Sequence, residues 1–251
     1  MAIESLRRPA SALATELSGE LTTAAGPLVM AHERLLPIAP GLAPLFGVEV
    51  AGADAPLGLM RGHTVMCGGP AAMSCALAIA AAPSRAGSWV AVVGESRLGP
   101  LAAAEAGIVL ERTVFIDDPQ RGDPASVLSA LIDGIDVVLV PSSLLSALSP
   151  SLVRRAQSRA QSRGAILLVA GHTAAIVADL HLTTRVHAWE GLGEGFGHLR
   201  RRRIGVELDR RRGRPTRGDV WMPGAPGDAE MGSAEMAVSS GGSVVPLRRT
   251  G

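Results

Sequence analysis

The middle of the chain alternates short apolar runs with longer amphipathic stretches, and this alternation predicts the fold. The apolar runs are rich in β-branched residues, which favours strands at Thr64–Cys67, Trp89–Val93, Thr113–Ile116, Val137–Val140 and Ile166–Val169. The stretches between them are predicted as helices at Ala71–Ala82, Leu98–Ala106, Pro124–Ile132 and Pro150–Arg163. Apolar strands separated by single helices are typical of a mostly parallel sheet covered by helices on both faces. The sequence therefore predicts an α/β core.

Two further strands follow the core and are predicted to form an antiparallel hairpin. They span Asp179–Trp189 and Leu199–Leu208, and the glycine-rich turn 191–197 joins them. In the second strand, apolar residues alternate with Gly205 and Glu207. The apolar positions are Ile204, Val206 and Leu208. This period of two predicts that one face of the hairpin is buried and that the hairpin extends the sheet.

The chain is predicted to have three parts. Residues 1–34 carry leucines at helical spacing and are predicted to form a helical arm. Residues 35–213 hold the core and its hairpin, beginning with a short helix or packed coil up to residue 46 and a glycine-rich connection over 47–62. Residues 214–251 are dominated by Pro, Gly, Ser, Asp and Glu, so they bury too little apolar area to offset the entropy of ordering. They are predicted to be a disordered tail.

Composition narrows the class of protein. Of the 251 residues, 47% are apolar and all 24 basic residues are arginine, while the net charge of +1 does not favour a protein that coats nucleic acid over its whole surface. The N-terminal region lacks the pattern of a signal peptide, and Gly68-Gly69-Pro70 interrupts the longest uncharged stretch. Cys67 and Cys75 are predicted to be buried thiols. A cytoplasmic protein is therefore expected.

The turn after the first core strand has the spacing of a phosphate-binding loop without its chemistry. That motif is Gly, four residues, then Gly-Lys-Ser/Thr, and counting from Gly68 places Met73, Ser74 and Cys75 at the last three positions, with Gly69 inside the loop. The missing lysine would contact the β- and γ-phosphates, and the missing hydroxyl would bind Mg²⁺. The sequence thus predicts no nucleotide cofactor and no metal.

The second half of a nucleotide site is also missing. Such sites hold Mg²⁺ with an acidic residue at the end of a buried strand, and in Asp136-Val-Val-Leu-Val-Pro141 the expected carboxylate position is occupied by Pro141. Proline can neither bind metal nor activate water. With both halves lost, the chain is predicted not to be an enzyme and to have no catalytic residues.

A cluster of nine arginines lies within eighteen residues on the predicted hairpin and the start of the tail. It comprises Arg200, Arg201, Arg202, Arg203, Arg210, Arg211, Arg212, Arg214 and Arg217. Such a cluster could contact DNA phosphates, bind an acidic protein partner, or keep a solvated strand edge from pairing with another strand. These three interpretations remain open at the level of sequence.

Several short motifs carry a resemblance to a known family. They are Arg61-Gly-His-Thr-Val, Gly87-Ser-Trp-Val-Ala-Val-Val-Gly, Ala102-Ala-Ala-Glu-Ala-Gly, Leu110-Glu-Arg and Trp189-Glu-Gly-Leu-Gly. Over residues 35–210 the chain is similar to the RecA-type recombinase core, and it most closely resembles the actinobacterial RecA-like accessory protein of mutagenic translesion synthesis (ImuA-type). The resemblance implies a RecA-like fold and a damage-induced (SOS) adaptor that binds a Y-family-like polymerase adaptor and an error-prone C-family DNA polymerase.

The resemblance also implies alternatives. Glu95 matches the recombinase residue that activates water, but without a bound phosphate it is interpreted as vestigial. A degenerate DNA-dependent ATPase, in which Arg61 or Arg97 replaces the lysine, and an SOS cell-division inhibitor are the competing functions. Single-stranded DNA binding, self-association and association with the nucleoid after DNA damage are further expectations.

Overall fold

The computed structural model describes residues 35–46, 58–119, 123–192, 197–211 and 213–223. The strands are β1 (Leu35–Pro37), β2 (Gly58–Met60), β3 (Thr64–Gly68), β4 (Val90–Val93), β5 (Thr113–Ile116), β6 (Val137–Pro141), β7 (Ile166–Ala170), β8 (Leu180–Leu192), β9 (Gly197–Arg210) and β10 (Thr216–Pro223). The helices are α1 (Ala72–Arg85), α2 (Pro100–Glu105), α3 (Pro124–Gly134), α4 (Ser142–Ala147) and α5 (Pro150–Arg163), with short 3₁₀ turns at Ala43–Phe46 and Leu110–Arg112. None of these helices is long and apolar enough to cross a membrane.

The main sheet has eight strands in the order β10-β9-β8-β3-β7-β6-β4-β5, and β1 and β2 form a separate antiparallel pair. The strands from β8 to β5 are parallel, whereas β9 and β10 run antiparallel to their neighbours. Every residue of β4, β6 and β7 is buried. A strand that is apolar on both sides requires helices on both faces, which is why these runs show no polar alternation.

Two apolar clusters fill the faces of the sheet. Helix α1 packs on one face through Cys75 and Ile79, together with the 3₁₀ turn at Ala43–Phe46. Helices α3 and α5 pack on the other face, where Leu128 and Val153 are buried. The mostly parallel sheet with helices on both faces is confirmed.

Every predicted core strand and helix is present in the structure, and the ends differ by no more than three residues. The strand Thr113–Ile116 and the helix Pro150–Arg163 match the predicted bounds. Helix α5 ends at Gly164, which has a left-handed φ of 73°, a conformation that glycine adopts without strain. Helix α4 and strands β1 and β2 were not predicted, since each has only three to six residues and too few positions to show a period. The segment 35–46 thus forms a strand and a 3₁₀ turn.

The predicted hairpin is confirmed as β8 and β9, whose pairing includes Leu182 opposite Leu208 and Val186 opposite Ile204. Ile204, Val206 and Leu208 are buried, as their alternation predicted. Strand β8 also pairs parallel to β3, so the hairpin continues the core sheet.

The prediction of disorder from residue 214 was wrong for residues 216–223, which form β10. This strand pairs antiparallel with β9 along its whole length and buries Val220 and Met222 against the hairpin. Its period of two is carried by only two apolar side chains, so the polar composition of the surrounding tail obscured it. The antiparallel extension therefore has three strands. The proposed helical arm at 1–34 and residues 224–251 of the proposed tail lie outside the described residues.

Candidate functional site

The degenerate phosphate loop lies between the end of β3 and the start of α1, at the carboxyl edge of the parallel strands. Thr184 of β8 closes it: its hydroxyl donates to the Gly68 carbonyl at 2.7 Å and accepts from the Ala71 N–H at 3.1 Å. Gly69 has a φ of +90°, and a Cβ there would lie 2.2 Å from the Thr184 carbonyl oxygen. Glycine is therefore required at this position by the neighbouring strand, without reference to any ligand.

Arg202 reaches the position that the lysine would occupy. Ser74 stands at the lysine position of the motif, and the Arg202 guanidinium donates a hydrogen bond to its hydroxyl from the middle of β9. The guanidinium also lies 5.3 Å from the ring centroid of Trp189. Burial lowers the pKa of Arg202. A cation thus lies beside the first turn of α1, supplied from 128 residues further along the chain.

The remaining loop positions contribute to the core. Cys67 and Cys75 are fully buried free thiols, as predicted. Contact with Cys75 and burial raise the pKa of the Cys67 thiol well above its usual range. Met73 is half-buried and packs against the same apolar cluster. These side chains stabilise the turn from β3 into α1.

The place where Mg²⁺ would be held is apolar. Pro141 ends β6 and is buried. A Cβ on Gly94, at the end of β4, would lie 3.6 Å from a ring carbon of Pro141 and 3.7 Å from a methyl group of Leu144. Glu95 follows Gly94 and is half-buried, and its carboxylate forms no ion pair or hydrogen bond with a described residue. Within the described ranges, no three His, Cys, Asp or Glu side chains converge as metal ligands would.

Arg61 does not substitute for the lysine. It forms an ion pair with Asp136 at 2.8 Å, and Asp136 also accepts the N–H of Trp89 at 3.0 Å. Asp136 precedes β6, so this pair lies at the amino edge of the sheet, opposite the phosphate loop. Arg97 is exposed in the connection after β4.

The arginine cluster divides between the two faces of the antiparallel extension. Arg202 and Arg210 are on the inner face, in phase with the buried apolar residues of β9, and Arg210 donates to the Leu45 carbonyl at 2.7 Å. The arginines of the outer face form ion pairs across the strands. These pairs are Arg201–Glu190 at 2.6 Å, Arg203–Asp219 at 2.9 Å and Arg217–Glu207 at 2.7 Å. The outer face of the extension is therefore close to charge-balanced, which the count of arginines had not revealed.

The other arginines of the cluster are more open. Arg211 is 72% exposed and 3.9 Å from Asp179, and Arg214 is exposed. Arg200 lies on β9, where the structure describes only the backbone, and Arg212 lies outside the described residues. The positive charge that remains available therefore lies towards the connection between β9 and β10.

Comparison with known proteins finds a domain family and a Mycobacterium tuberculosis protein to which the chain is similar. The family model named MT3502 N-terminal domain matches residues 54–175. The Mycobacterium tuberculosis protein Rv3395c, described as uncharacterized, is 33% identical over 172 residues, which cover 66% of this chain and 68% of that protein. The chain belongs to the Rv3395c family.

The fold of this Rv3395c-family member is RecA-like. The crystal structure of the RadB recombinase has a TM-score of 0.50 and 15% identity, and the match covers 72% of this chain and 92% of that one. The flagellar accessory protein FlaH from Methanocaldococcus jannaschii has a TM-score of 0.48 and 11% identity over 75% of this chain and 93% of its own. The RadB likeness confirms the predicted fold.

Sequence reasoning missed two side chains that define the loop in this Rv3395c-family protein, Thr184 and Arg202. Both contacts join residues more than 110 positions apart. A signal for Arg202 was nevertheless present, because it is in phase with Ile204 and Val206 and so belongs to the inward-facing side of β9. A polar residue in that phase needs a polar partner inside the protein.

Proposed function

We propose that this protein is a RecA-like adaptor in SOS-induced, error-prone translesion DNA synthesis that does not hydrolyse nucleotides. The family motifs in the sequence support the pathway, and the RecA-like fold is compatible with it. In this role the protein binds a Y-family-like polymerase adaptor and an error-prone C-family DNA polymerase in the cytoplasm and joins the nucleoid after DNA damage.

The observation that carries the non-hydrolysing role is that the chain itself occupies the phosphate loop. The N–H of Ala71 would face a phosphate in an active loop, but it already donates to Thr184. A triphosphate entering there would have to displace Thr184 and the contact between Arg202 and Ser74. It would gain no hydroxyl ligand for Mg²⁺ from Cys75 and no carboxylate from Pro141.

Calorimetric titration of the full chain with millimolar ATP and Mg²⁺ tests this role. We expect no heat of binding. A Kd in the micromolar range would contradict the proposal. The Thr184→Ala variant frees the Ala71 N–H and serves as a matched comparison, because nucleotide binding that appears only in this variant would support Thr184 as the blocking group.

The adaptor role is tested by co-purification with the Y-family-like adaptor and the C-family polymerase of the same genome. A truncation after Pro223 removes the final segment and leaves β10 in the sheet. Truncation after Gly213 would remove β10 as well and expose the β9 residues that pair with Val220 and Met222. We expect the truncation after Pro223 to retain the fold. Failure of the full chain to bind either protein would contradict the adaptor role.

Contact with single-stranded DNA would use the arginines that lack a close carboxylate. Arg214, and to a lesser degree Arg211, fit this description better than the paired arginines of the outer face. Each phosphate contact releases counterions, so affinity should fall as salt rises. Binding measured by fluorescence anisotropy at several salt concentrations checks this, and affinity independent of salt would contradict phosphate contact.

A degenerate ATPase is the second candidate, and the position of Arg202 favours it. Its guanidinium lies beside Ser74, so Arg202 rather than Arg61 or Arg97 would replace the lysine. Arginine is planar and bulkier than an ammonium, which makes this replacement non-conservative. DNA-stimulated ATP hydrolysis that is lost in Arg202→Ala but kept in Arg203→Ala would favour this candidate over the adaptor.

A further inference from the structure

Strand β10 is one of the two terminal strands of the main sheet, and β5 is the other. All eight of its residues, Thr216 to Pro223, have partners on β9, and no described residue pairs with its other edge. An unpaired strand edge presents a row of N–H and C=O groups that can accept another strand. Natural sheets commonly protect such an edge with charged residues, so the arrangement of charge on β10 decides which strand it can accept.

The charges on β10 are complementary to a second copy of the same strand. Arg217, Gly218 and Asp219 are consecutive, and the two charged residues lie on the outer face of the sheet. In an antiparallel pair centred on Gly218, Arg217 of each copy stands opposite Asp219 of the other. Centring the pair one residue earlier opposes Arg217 to Arg217, and one residue later opposes Asp219 to Asp219. Like charges directly opposite one another destabilise a strand pair, so of these three registers the one centred on Gly218 is favoured.

The neighbouring strands extend this complementarity. The Arg217 guanidinium donates to the Glu207 carboxylate at 2.7 Å. The Asp219 carboxylate accepts from Arg203 at 2.9 Å and lies 3.5 Å from His187. The side chain of Arg217 remains 76% exposed, which leaves its guanidinium accessible to a second carboxylate. Pairing two copies would join these ion pairs into one alternating network across the dimer axis.

We propose that β10 pairs antiparallel with β10 of a second copy of this chain, about a twofold axis at Gly218. The two eight-stranded sheets then form one continuous sheet. Because a twofold interface uses the same patch on both subunits, a self-complementary strand is what such an interface requires. This inference is independent of the proposed function.

Disulfide trapping of the full-length protein tests both the partner and the register. Opposed residues of an antiparallel pair have Cα atoms about 4.5–5.5 Å apart, within the range of a disulfide. Arg217→Cys and Asp219→Cys are prepared as separate proteins, mixed and mildly oxidised. We expect the mixture to form a covalent dimer at least tenfold more efficiently than either variant alone, since only the mixture opposes the two new thiols.

The control is Arg185→Cys, which is exposed on β8, away from the edge of the sheet. Mixed with Asp219→Cys, it should not yield a covalent dimer above background. Light scattering of the unmodified protein should give twice the mass of one chain. A monomeric mass would overturn the proposal, as would a dimer in which the mixture of Arg217→Cys and Asp219→Cys does not cross-link preferentially. If the protein is monomeric and the outward-facing amides of β10 resist hydrogen exchange, another segment of the same chain covers that edge, and the proposal is equally overturned.

Discussion

The parallel half of the sheet buries both of its faces, whereas the antiparallel extension buries only one. Strands β6 and β7 are surrounded by α1, α3 and α5 and have no exposed residue. In β9 the buried residues alternate with outer-face residues, among which Arg203 and Glu207 form ion pairs with β10. The parallel half therefore depends on packing, while the extension combines packing on one face with electrostatic pairing on the other.

This difference indicates which region of the protein is accessible to a ligand or partner. The carboxyl edge of the parallel half, where a RecA-like fold would hold its nucleotide, is filled by Thr184, Arg202 and Pro141. The extension, by contrast, presents polar groups to solvent. Its terminal strand β10 has an edge that no described residue pairs, as β5 has at the other end of the sheet. Substitutions in the two regions should consequently change the free energy of unfolding by different amounts, and these changes should differ in their dependence on pH.

The largest effect is expected in the parallel half. Leu168 is fully buried at the centre of β7 and packs in the apolar cluster on the α1 face of the sheet, so Leu168→Ala leaves a cavity there. We expect a loss of about 2–5 kcal/mol in the free energy of unfolding. Urea denaturation checks this value. If the outer-face variant Arg217→Ala lost as much, the contrast between the two regions would be wrong.

The second effect concerns the phosphate loop. Gly69→Ala places a Cβ 2.2 Å from a backbone oxygen at a φ of +90°. We expect a loss of about 1–3 kcal/mol in the free energy of unfolding, because the backbone must move away from Thr184. Gly99→Ala is the matched control, since a Cβ there meets nothing within 4 Å. Equal unfolding midpoints for the two variants would show that Thr184 does not constrain the loop.

A smaller effect is expected for the contact that joins the extension to α1. Arg202→Ala removes the hydrogen bond to Ser74 and the stacking on Trp189. We expect a loss of about 1–2 kcal/mol and a change in tryptophan fluorescence, because Trp189 loses its cation. Thermal unfolding and emission spectra measure both. Trp189→Phe identifies the reporting tryptophan, and an Arg202→Ala spectrum identical to that of the parent would contradict the stacking.

The smallest effect is expected from the surface pair of Arg217 and Glu207. The hydrogen bond from Arg217 holds the pKa of Glu207 below its usual range. A carboxyl group whose pKa is lower in the folded state contributes stability above its unfolded pKa of about 4.3, and this contribution is lost as the pH falls through the folded value. The pH dependence of the unfolding midpoint should therefore be slightly shallower for Glu207→Gln between pH 5 and 2. An unchanged slope would show that this pair does not contribute to the loss of stability in acid.

Much of the parallel half could be predicted because its signal is local. A run such as Ile166–Val169 is apolar at every position, and Pro150 and Gly164 mark the ends of α5 in the sequence itself. β10 was missed because its apolar positions are few and lie next to a polar segment. Arg202 was grouped with its basic neighbours, yet its partner lies on α1, and no local pattern reports a contact over 128 residues.

The hydroxyl of Thr184 has a consequence for how the protein responds to its surroundings. In a nucleotide-binding loop, the ligand supplies the hydrogen bonds that order the backbone, so stability rises with ligand concentration. Here a neighbouring strand supplies them. The loop is ordered when the chain folds, and under the proposed function, in which it binds no nucleotide, its conformation carries no information about the ratio of ATP to ADP. We therefore expect the abundance of the protein and of its partners, rather than the energy charge of the cell, to set when it acts.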